Sequence, residues 1–390
     1  MNFFFKLKKV FQEKRFLKTF KNKIFPYIRG FVLFFTPSKN IVRIHIAKIK
    51  QIDKTDIPLA KRIFQSYKLI KSEQIKKSKF YKPASLWQSH IDNDFSYLLE
   101  SHKNDDLEKF LFFLQNFGNW NKYLGIENQD LIQKYSKNIF LKNFLSREIF
   151  GGQLDLWKFF NKNCNYKDLE MPTYGNQIGA FIGKNFVVIG SFLNQIYAQN
   201  LSNYLNNEKN TIIELGGGYG KFAFYILKNT KNFTYIDFDI PETLTLGSYY
   251  LSKCFPNKKN FFYGEKEFNK KIEDDYDLIF LPPWEIEKLG ENSADLAINK
   301  NSLGEMDPDT AHNYLKHIHR TSKYFFSMNH EYFRNQFEDG KQSLVNKEYN
   351  IGGKFKELIR YPDLGHLIYE RNKLDFDSNI FFYIYEKIDN

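Results

Sequence analysis

Between Ile212 and Leu227 the chain reads IIELGGGYGKFAFYIL, with four glycines in five residues and Glu214 two positions before the first of them. Thr211–Leu215 is a β-rich run, and Tyr219–Asn229 has helical spacing with Phe222, Ile226 and Leu227 on one side. Glycines between a strand and a helix let the backbone turn tightly and approach a ligand. They also leave N–H groups exposed at a helix start, which suits anionic or polar ligands. A phosphate-binding loop needs Gly-Lys followed by Ser or Thr, and here Lys221 is followed by Phe222. A dinucleotide fingerprint needs G-x-G-x-x-G; starting from Gly216 and Gly218, its third glycine falls on Lys221. What fits is E-x-G-x-G-x-G: Glu214, Gly216, Gly218, Gly220.

This stretch resembles the first motif of the class I S-adenosylmethionine (SAM) methyltransferases. The resemblance implies that Glu214 holds the methionine ammonium, directly or through water, and that Gly216, Gly218 and Gly220 shape the cofactor loop. In a doubly wound sheet the next strand should end in an acid for the ribose hydroxyls, roughly 20 residues on. FTYIDFDIPE supplies it: Phe233–Phe238 reads as a buried strand, and Asp237 and Asp239 lie at its end. The Asp-Ile-Pro at Asp239 is similar to the Asp-Leu-Pro of small-molecule O-methyltransferases, so Asp239 is the first choice and Asp237 the second. A glycine turn in an unrelated α/β domain is the bland alternative.

The 390 residues are enough for two domains and a substantial core. Hydrophobic residues make up 42%, too many for a disordered chain. Cys164 and Cys254 are the only cysteines, so there is no disulfide framework, and a reducing cytoplasm is the expected setting. No stretch reaches the 18 or so apolar residues of a membrane span, and Phe31–Phe35 is too short for a signal-peptide core. Charge is unevenly placed. Residues 1–50 hold 13 Lys/Arg and one acid, whereas the rest of the chain holds 44 of each sign. Phe3, Val10, Leu17 and Ile24 recur every seven residues among the lysines. Such a basic amphipathic helix suits peripheral contact with an anionic membrane at the inner face, or packing on the chain's own catalytic domain. The neutral remainder argues against nucleic acid.

Residues 51–165 read as mainly helical, with Asp94–Gly118 forming two helices broken near Asn104. Gly175, Gly179, Gly183 and Gly190 suggest turns or a hairpin, and Ser191 is placed to cap the helix before the glycine bend. Strands are expected at Asn260–Gly264, Asp277–Leu281, Asp295–Asn299, Tyr324–Met328 and Phe381–Tyr385, with a helix capped by Asp307 and opened by Pro308. Strands alternating with helices imply a mostly parallel sheet with ligands at its carboxyl edge. The expected fold is therefore α/β, a Rossmann-like class I methyltransferase sheet over 166–390 preceded by the helical region 51–165 and the basic segment 1–50. Whether Gly264-Glu265 or Leu281–Trp284 borders the adenine is left open by the spacing.

Four further stretches make the chain similar to the bacterial sugar O-methyltransferase family: YGNQIGAFIGKNFVVIGSFLNQIYAQNLSNYL, IIELGGGYG, DLAINKNSLGEMDPDTAHNYLKHI and YFFSMNHE, across roughly 90–385. The chain differs from that family at Gln177, where proline is expected after Gly-Asn, and in the middle of the NSLGEM turn. The resemblance implies methyl transfer from SAM to a hydroxyl of a sugar, in surface polysaccharide or glycoconjugate synthesis. Such a transfer needs in-line alignment and a base for the hydroxyl proton. Glu305, in the turn after a sheet strand, is the first choice for that base, and His330, after the last parallel strand, is the second. Asn301, Asn329 and Asn176 are candidates to orient sugar hydroxyls, with turn capping as the plainer role for the first two. Trp284 reads either as a stacking surface or as core. His312, His317 and His319 have no clustered acids or cysteines, so no metal site is expected. The competing function classes are a glycosyltransferase or oxidoreductase with a nucleotide cofactor, disfavoured by the broken G-x-G-x-x-G, and a non-catalytic methyltransferase-like subunit.

Overall fold

The computed structural model describes residues 28, 42–45, 48–126, 150–151, 153–163, 165–205, 208–350, 353–365 and 379–388. Most of the expected basic segment, and Cys164, lie outside these residues. Two compact units emerge, one joining Met1–Ile46, Glu127–Met171 and Ile178–Phe192, the other Ala47–Ile126, Pro172–Gln177 and Leu193–Asn390. Both units are discontinuous in sequence, and the helices after residue 50 fall in the unit that holds the large sheet.

In the smaller unit, β1 (Val42–His45), β2 (Gly179–Ile182) and β3 (Asn185–Val188) form an antiparallel sheet in that order. The expected hairpin is β2–β3, turning at Gly183 with φ +61°. β1 lies near the end of the basic segment, and the amphipathic helix expected over Phe3–Ile24 falls outside the described residues. The Ser191 hydroxyl accepts from the N–H of Val188, three residues upstream of the helix it was expected to cap.

The larger unit opens with four helices: α1 (Ile57–Gln74), α2 (Ser85–Asp94), α3 (Ser96–Lys103) and α4 (Leu107–Asn116). The break between α3 and α4 falls at Asn104, where the sequence places it. Helix α5 (Ser191–Leu201) leads towards the sheet strands β4 (Asn210–Leu215), β5 (Phe233–Phe238), β6 (Asn260–Phe262), β7 (Leu278–Leu281), β8 (Ala294–Lys300), β9 (Ser322–His330), β10 (Phe355–Pro362) and β11 (Ile380–Lys387). Their spatial order is β10-β11-β9-β8-β4-β5-β7-β6. β4 to β9 run parallel, and β11 and β10 add an antiparallel edge. This is the α/β sheet expected, with β10 the strand that sequence patterning missed.

The order reverses at β4, which pairs with β5 on one side and β8 on the other. A crevice for ligands opens at the carboxyl ends of such a pair. Helices α6 (Lys221–Asn229) and α7 (Pro241–Cys254) follow β4 and β5, and α8 (Lys270–Asp275) and α9 (Pro308–Thr321) precede β7 and β9. Residues 241–252 of α7 are all buried. The reason is that α7 packs on β7 and is also covered by α1 and α4. Buried polar ties fasten this helical layer: Asp56 accepts from Tyr249 (2.7 Å) and Gln115 (3.0 Å), and Glu242 accepts from Lys71 (2.8 Å).

The carboxyl ends of β4, β8 and β9 are locked by two buried asparagines. Asn299 donates to the Leu215 carbonyl (2.8 Å) and accepts from the N–H of Leu303 (3.1 Å). Asn329 donates to Asn299 Oδ1 (2.9 Å) and Ser327 Oγ (3.0 Å), and accepts from the N–H groups of Ser302 (3.2 Å) and Gly304 (3.4 Å). Two side chains thus fix the turn 301–306 against the glycine bend. Asn299→Ala should strand the Leu215 carbonyl, the Leu303 N–H and one Asn329 donor, and each unsatisfied buried group costs about 1–3 kcal/mol. Urea unfolding is expected to show a loss of about 3 kcal/mol or more. Asn301→Gly, at an exposed position with φ +55°, should stay within about 0.5 kcal/mol of the parent.

Candidate functional site

Strand β4 ends in Glu214-Leu215 and the chain bends through Gly216 (φ +75°), Gly218 (φ +60°) and Gly220 (φ +85°) before α6. At Gly216 the need for glycine is steric as well as conformational: a Cβ there would lie 2.3 Å from Ser302 Oγ. At Gly218 a Cβ would meet nothing within 4 Å. The backbone at Gly218 therefore borders open space, as a loop that receives a ligand must.

Three carboxyls crowd this bend. Glu214 and Asp237 are register partners on β4 and β5, and Asp239 follows two residues later. Strand alternation puts Tyr235, Asp237 and Asp239 on one face of the chain. Tyr235 was not singled out in the sequence, although this alternation marks it. Its hydroxyl donates to Glu214 Oε2 at 2.6 Å. Burial pushes the Glu214 carboxyl up to about 7, and nearby Asp239 adds to the shift while the Tyr235 hydrogen bond opposes it. Asp237 is fully buried and lies well above the usual carboxylate range, because of burial first and the charges of Asp239 and Glu214 second. Its Oδ1 accepts from the Gly217 N–H at 3.3 Å, and its Oδ2 has no partner. Asp239 accepts from the N–H groups of Gly218 (2.9 Å) and Ile240 (2.7 Å). Burial nevertheless raises it to about 6.

The open choice beyond Asp239 is narrowed by strand order. β7, not β6, pairs with β5, and the Asp239 N–H points to the Leu281 carbonyl at 3.4 Å. Leu281–Trp284 therefore adjoins the acids. Glu265 is committed to Arg62 (2.6 Å) and to the Phe262 N–H (3.1 Å). Trp284 itself is buried, with Tyr263 edge-on and the Lys77 ammonium over its ring, so its core role wins over stacking on a ligand.

Glu305 sits in the locked turn, half-buried. The indole N–H of Trp87, on α2, donates to its Oε2 at 2.7 Å. Shielding from water pushes the carboxyl up to about 7, against the opposing effects of the Trp87 bond and of His90. His90 is in turn held by Asp94, 2.8 Å from its Nδ1. Sequence reading missed Trp87 and His90, and it could not have paired them with Glu305. His330 lies against the same turn: a Cβ on Gly304 would be 3.6 Å from its ring, and its Nδ1 is 2.7 Å from Asn379 Nδ2. The turn thus brings Glu305 and His330 to one locality, and Ser302 connects that locality to the glycine bend.

The three asparagines fare differently. Asn329 is 1% exposed, with its amide turned inward as described above, so it clamps the turn and is not available to a ligand's hydroxyls. Asn176 is likewise buried, donating to the Lys48 carbonyl (2.7 Å) and to Asn116 Oδ1 (2.9 Å), which makes it a brace for the chain entering α1. Only Asn301 is exposed. Among the described residues no group of three or more His, Cys, Asp or Glu is placed to hold a metal ion, and no helix is long and apolar enough to cross a membrane.

No family model matches the chain, and no curated protein matches it. Solved structures with a similar arrangement include the mitomycin 7-O-methyltransferase MmcR, at 11% identity and a TM-score of 0.33 over 51% of this chain and 56% of that one. The similarity thus spans little more than half of MmcR. Burkholderia thailandensis 1,6-didemethyltoxoflavin-N1-methyltransferase, solved with S-adenosylhomocysteine, matches at 15% identity and 0.34 over 50% of this chain and 79% of that one. Geranyl diphosphate C-methyltransferase from Streptomyces coelicolor A3(2) matches at 8% identity and 0.33, over 50% and 78%. The assignment of the fold rests on the strand order itself.

Proposed function

We propose that the larger unit is a SAM-dependent O-methyltransferase that acts on a hydroxyl of a sugar. The observation that carries the cofactor is electrostatic. Glu214, Asp237 and Asp239 are buried together, and each is displaced upward in pKa. Such a cluster favours a cationic ligand and repels an anionic one. SAM carries an ammonium and a sulfonium. Nucleotide sugars and nicotinamide dinucleotides bring phosphates to the glycine bend, and these carboxylates oppose them. Glu214 would face the ammonium, Asp239 the ribose hydroxyls, and the open flank of Gly218 would accept the cofactor's approach. Bound SAM supplies an activated methyl group to a nucleophilic oxygen.

The chain's own contribution is to align that oxygen and take its proton. Glu305, ionised above about pH 7, is the group suited to the second task. Trp87 holds its carboxylate in place. His330 borders the same space. That the acceptor is a sugar rests on the resemblance of the stretch before β4 and of YFFSMNHE to the sugar O-methyltransferase family, while the NSLGEM turn departs from that family in its middle. A cytoplasmic enzyme held at an anionic membrane face by its basic first fifty residues completes the proposal.

Calorimetry tests the cofactor. The protein should bind SAM, Gly218→Val should abolish binding in a folded protein, and Asp239→Ala should weaken it at least about tenfold, more than Asp237→Ala does. Affinity should also fall as pH drops from 8 through 6, because Glu214 gains a proton and loses its attraction for the ammonium, and Asp239 gains one and becomes a weaker acceptor for the ribose hydroxyls. Unchanged affinity in Gly218→Val removes the loop from the site.

Turnover, read as S-adenosylhomocysteine release with a panel of glycosides, tests the base. Glu305→Gln should lower it by roughly 10²–10⁴ while leaving SAM affinity intact. Rates should rise with pH through about 7. Trp87→Phe removes the hydrogen bond that favours the ionised carboxylate, so the midpoint of that rise should move to higher pH. Near-normal turnover in Glu305→Gln transfers the role to His330.

Sedimentation with vesicles tests the membrane contact. The full chain should pellet with phosphatidylserine-containing vesicles, release with salt and ignore neutral ones. Replacing Lys8, Lys9, Lys14 and Arg15 by Gln should lose several kcal/mol of attraction, at about 1 kcal/mol per basic residue. Equal pelleting of the two proteins would exclude this attachment.

A further inference from the structure

We propose that Phe333, backed by His330 and flanked by Tyr332, is a fixed stacking platform for the sugar ring of the acceptor, beside the peptide that carries Glu305. The inference rests on the methyl-transfer reading for the role of Glu305. It adds a recognition surface that neither the sequence motifs nor the fold marks.

Phe333 is 53% exposed and Tyr332 55%. Single exposed aromatics are ordinary. These two differ because their backbone is pinned. The N–H groups of Tyr332 (3.1 Å) and Phe333 (2.7 Å) both donate to Asn379 Oδ1, and the same amide meets His330 Nδ1 through its nitrogen. Arg334 binds Glu348 through both terminal nitrogens and also the Ser343 carbonyl. Asn335 donates to the Gly304 carbonyl at 2.7 Å. A loop tied at four consecutive residues holds the Phe333 ring half-open, while Tyr332 beside it lies against Phe381 and under the Lys347 ammonium.

Those ties also place the rings. The Asn335 bond ends on the residue before Glu305, and the His330 ring lies against Gly304. Phe333 meets His330 edge-to-face with centroids 5.4 Å apart. The Trp87 indole, on α2, donates to Glu305 itself. The carboxylate thus has one aromatic donor from α2, and the loop after β9 is tied to the neighbouring residue, Gly304. A flat apolar acceptor is normally enclosed, with most of its surface taken from water. A half-open ring such as Phe333 suits a ring that offers C–H bonds on one face and keeps hydroxyls in water. The positive C–H edges of a pyranose complement the negative face of an aromatic ring, and an adjacent hydroxyl can then point to Glu305.

The test uses the full-length protein saturated with S-adenosylhomocysteine. Saturation-transfer NMR is recorded with methyl β-glucopyranoside, methyl α-mannopyranoside and methyl α-rhamnopyranoside, and with catechol as the flat apolar probe. At least one glycoside should receive saturation on the C–H protons of one ring face. Phe333→Ser should reduce that signal about fivefold or more, Phe333→Trp should retain it, and both variants should bind SAM within about twofold of the parent. Saturation of catechol alone, or a glycoside signal unchanged in Phe333→Ser, overturns the platform while leaving the cofactor site standing. Failure of the parent protein to bind SAM removes the methyl-transfer reading, and the platform with it.

Discussion

Three carboxyl groups held out of water around one glycine bend are the constraint to which the rest of this structure answers. Glu214, Asp237 and Asp239 are brought together because β4 and β5 are parallel neighbours in register and both end at the same level. Burial raises all three, and neighbouring carboxylates add to the shifts of Glu214 and Asp237. The fold offsets part of the cost locally. Tyr235 donates to Glu214, and the N–H groups of Gly217, Gly218 and Ile240 donate to the two aspartates. The bend that presents the Gly217 and Gly218 N–H groups depends on left-handed φ values at Gly216, Gly218 and Gly220. What remains uncompensated, including the unpartnered Asp237 Oδ2, is the part a bound cation would satisfy.

The acids and the proposed base lie on different strands, so their relative position depends on how rigidly the strand ends are joined. Asn299 and Asn329 make that joint. Buried amides with every donor and acceptor engaged resist displacement, because moving one strands several groups at once. Ser302 sits where a Gly216 side chain would be, so the turn and the bend interlock through the absence of one Cβ. Glu305 inherits its place from this joint on one side and from Trp87 on the other.

The sequence disclosed what is local and hid what is not. The glycine bend, the Asp-Ile-Pro and the alternating strands are written in short windows, because φ values, caps and alternation are properties of neighbours. β10 escaped because FKELIRYP alternates charge and ends in proline, which reads as a loop when its partner β11 is out of view. Asn329 and Asn176 read as ligand-facing because a lone asparagine carries no sign of which way it points. Only the register of β9 and the left-handed turn at Asn176 (φ +56°) send both inward. Trp87 stands 218 positions from Glu305, and no pattern within either segment announces the contact. The compact units are discontinuous in sequence, so no linear boundary drawn near residue 50 or 165 could have found them.

The helical region deserves the same functional standing as the sheet, for a reason that its contacts supply. Surface packing alone would join α1–α4 to the sheet layer through apolar area, and α7 provides ample. Yet polar ties also join them: Tyr67 and Lys71 reach Glu242, three residues after Asp239, while Arg62 and Glu73 reach Glu265 and Tyr263 beyond β6. Helix α2 goes further and touches Glu305. A carboxylate needs shielding from water to titrate near neutrality, and a donor to keep it oriented once shielded. The sheet's own loops provide the turn that carries Glu305, and α2 provides the donor. If the proposed chemistry holds, the helices are therefore part of the reaction centre, and a sheet without them would keep its acids but leave the base loosely held.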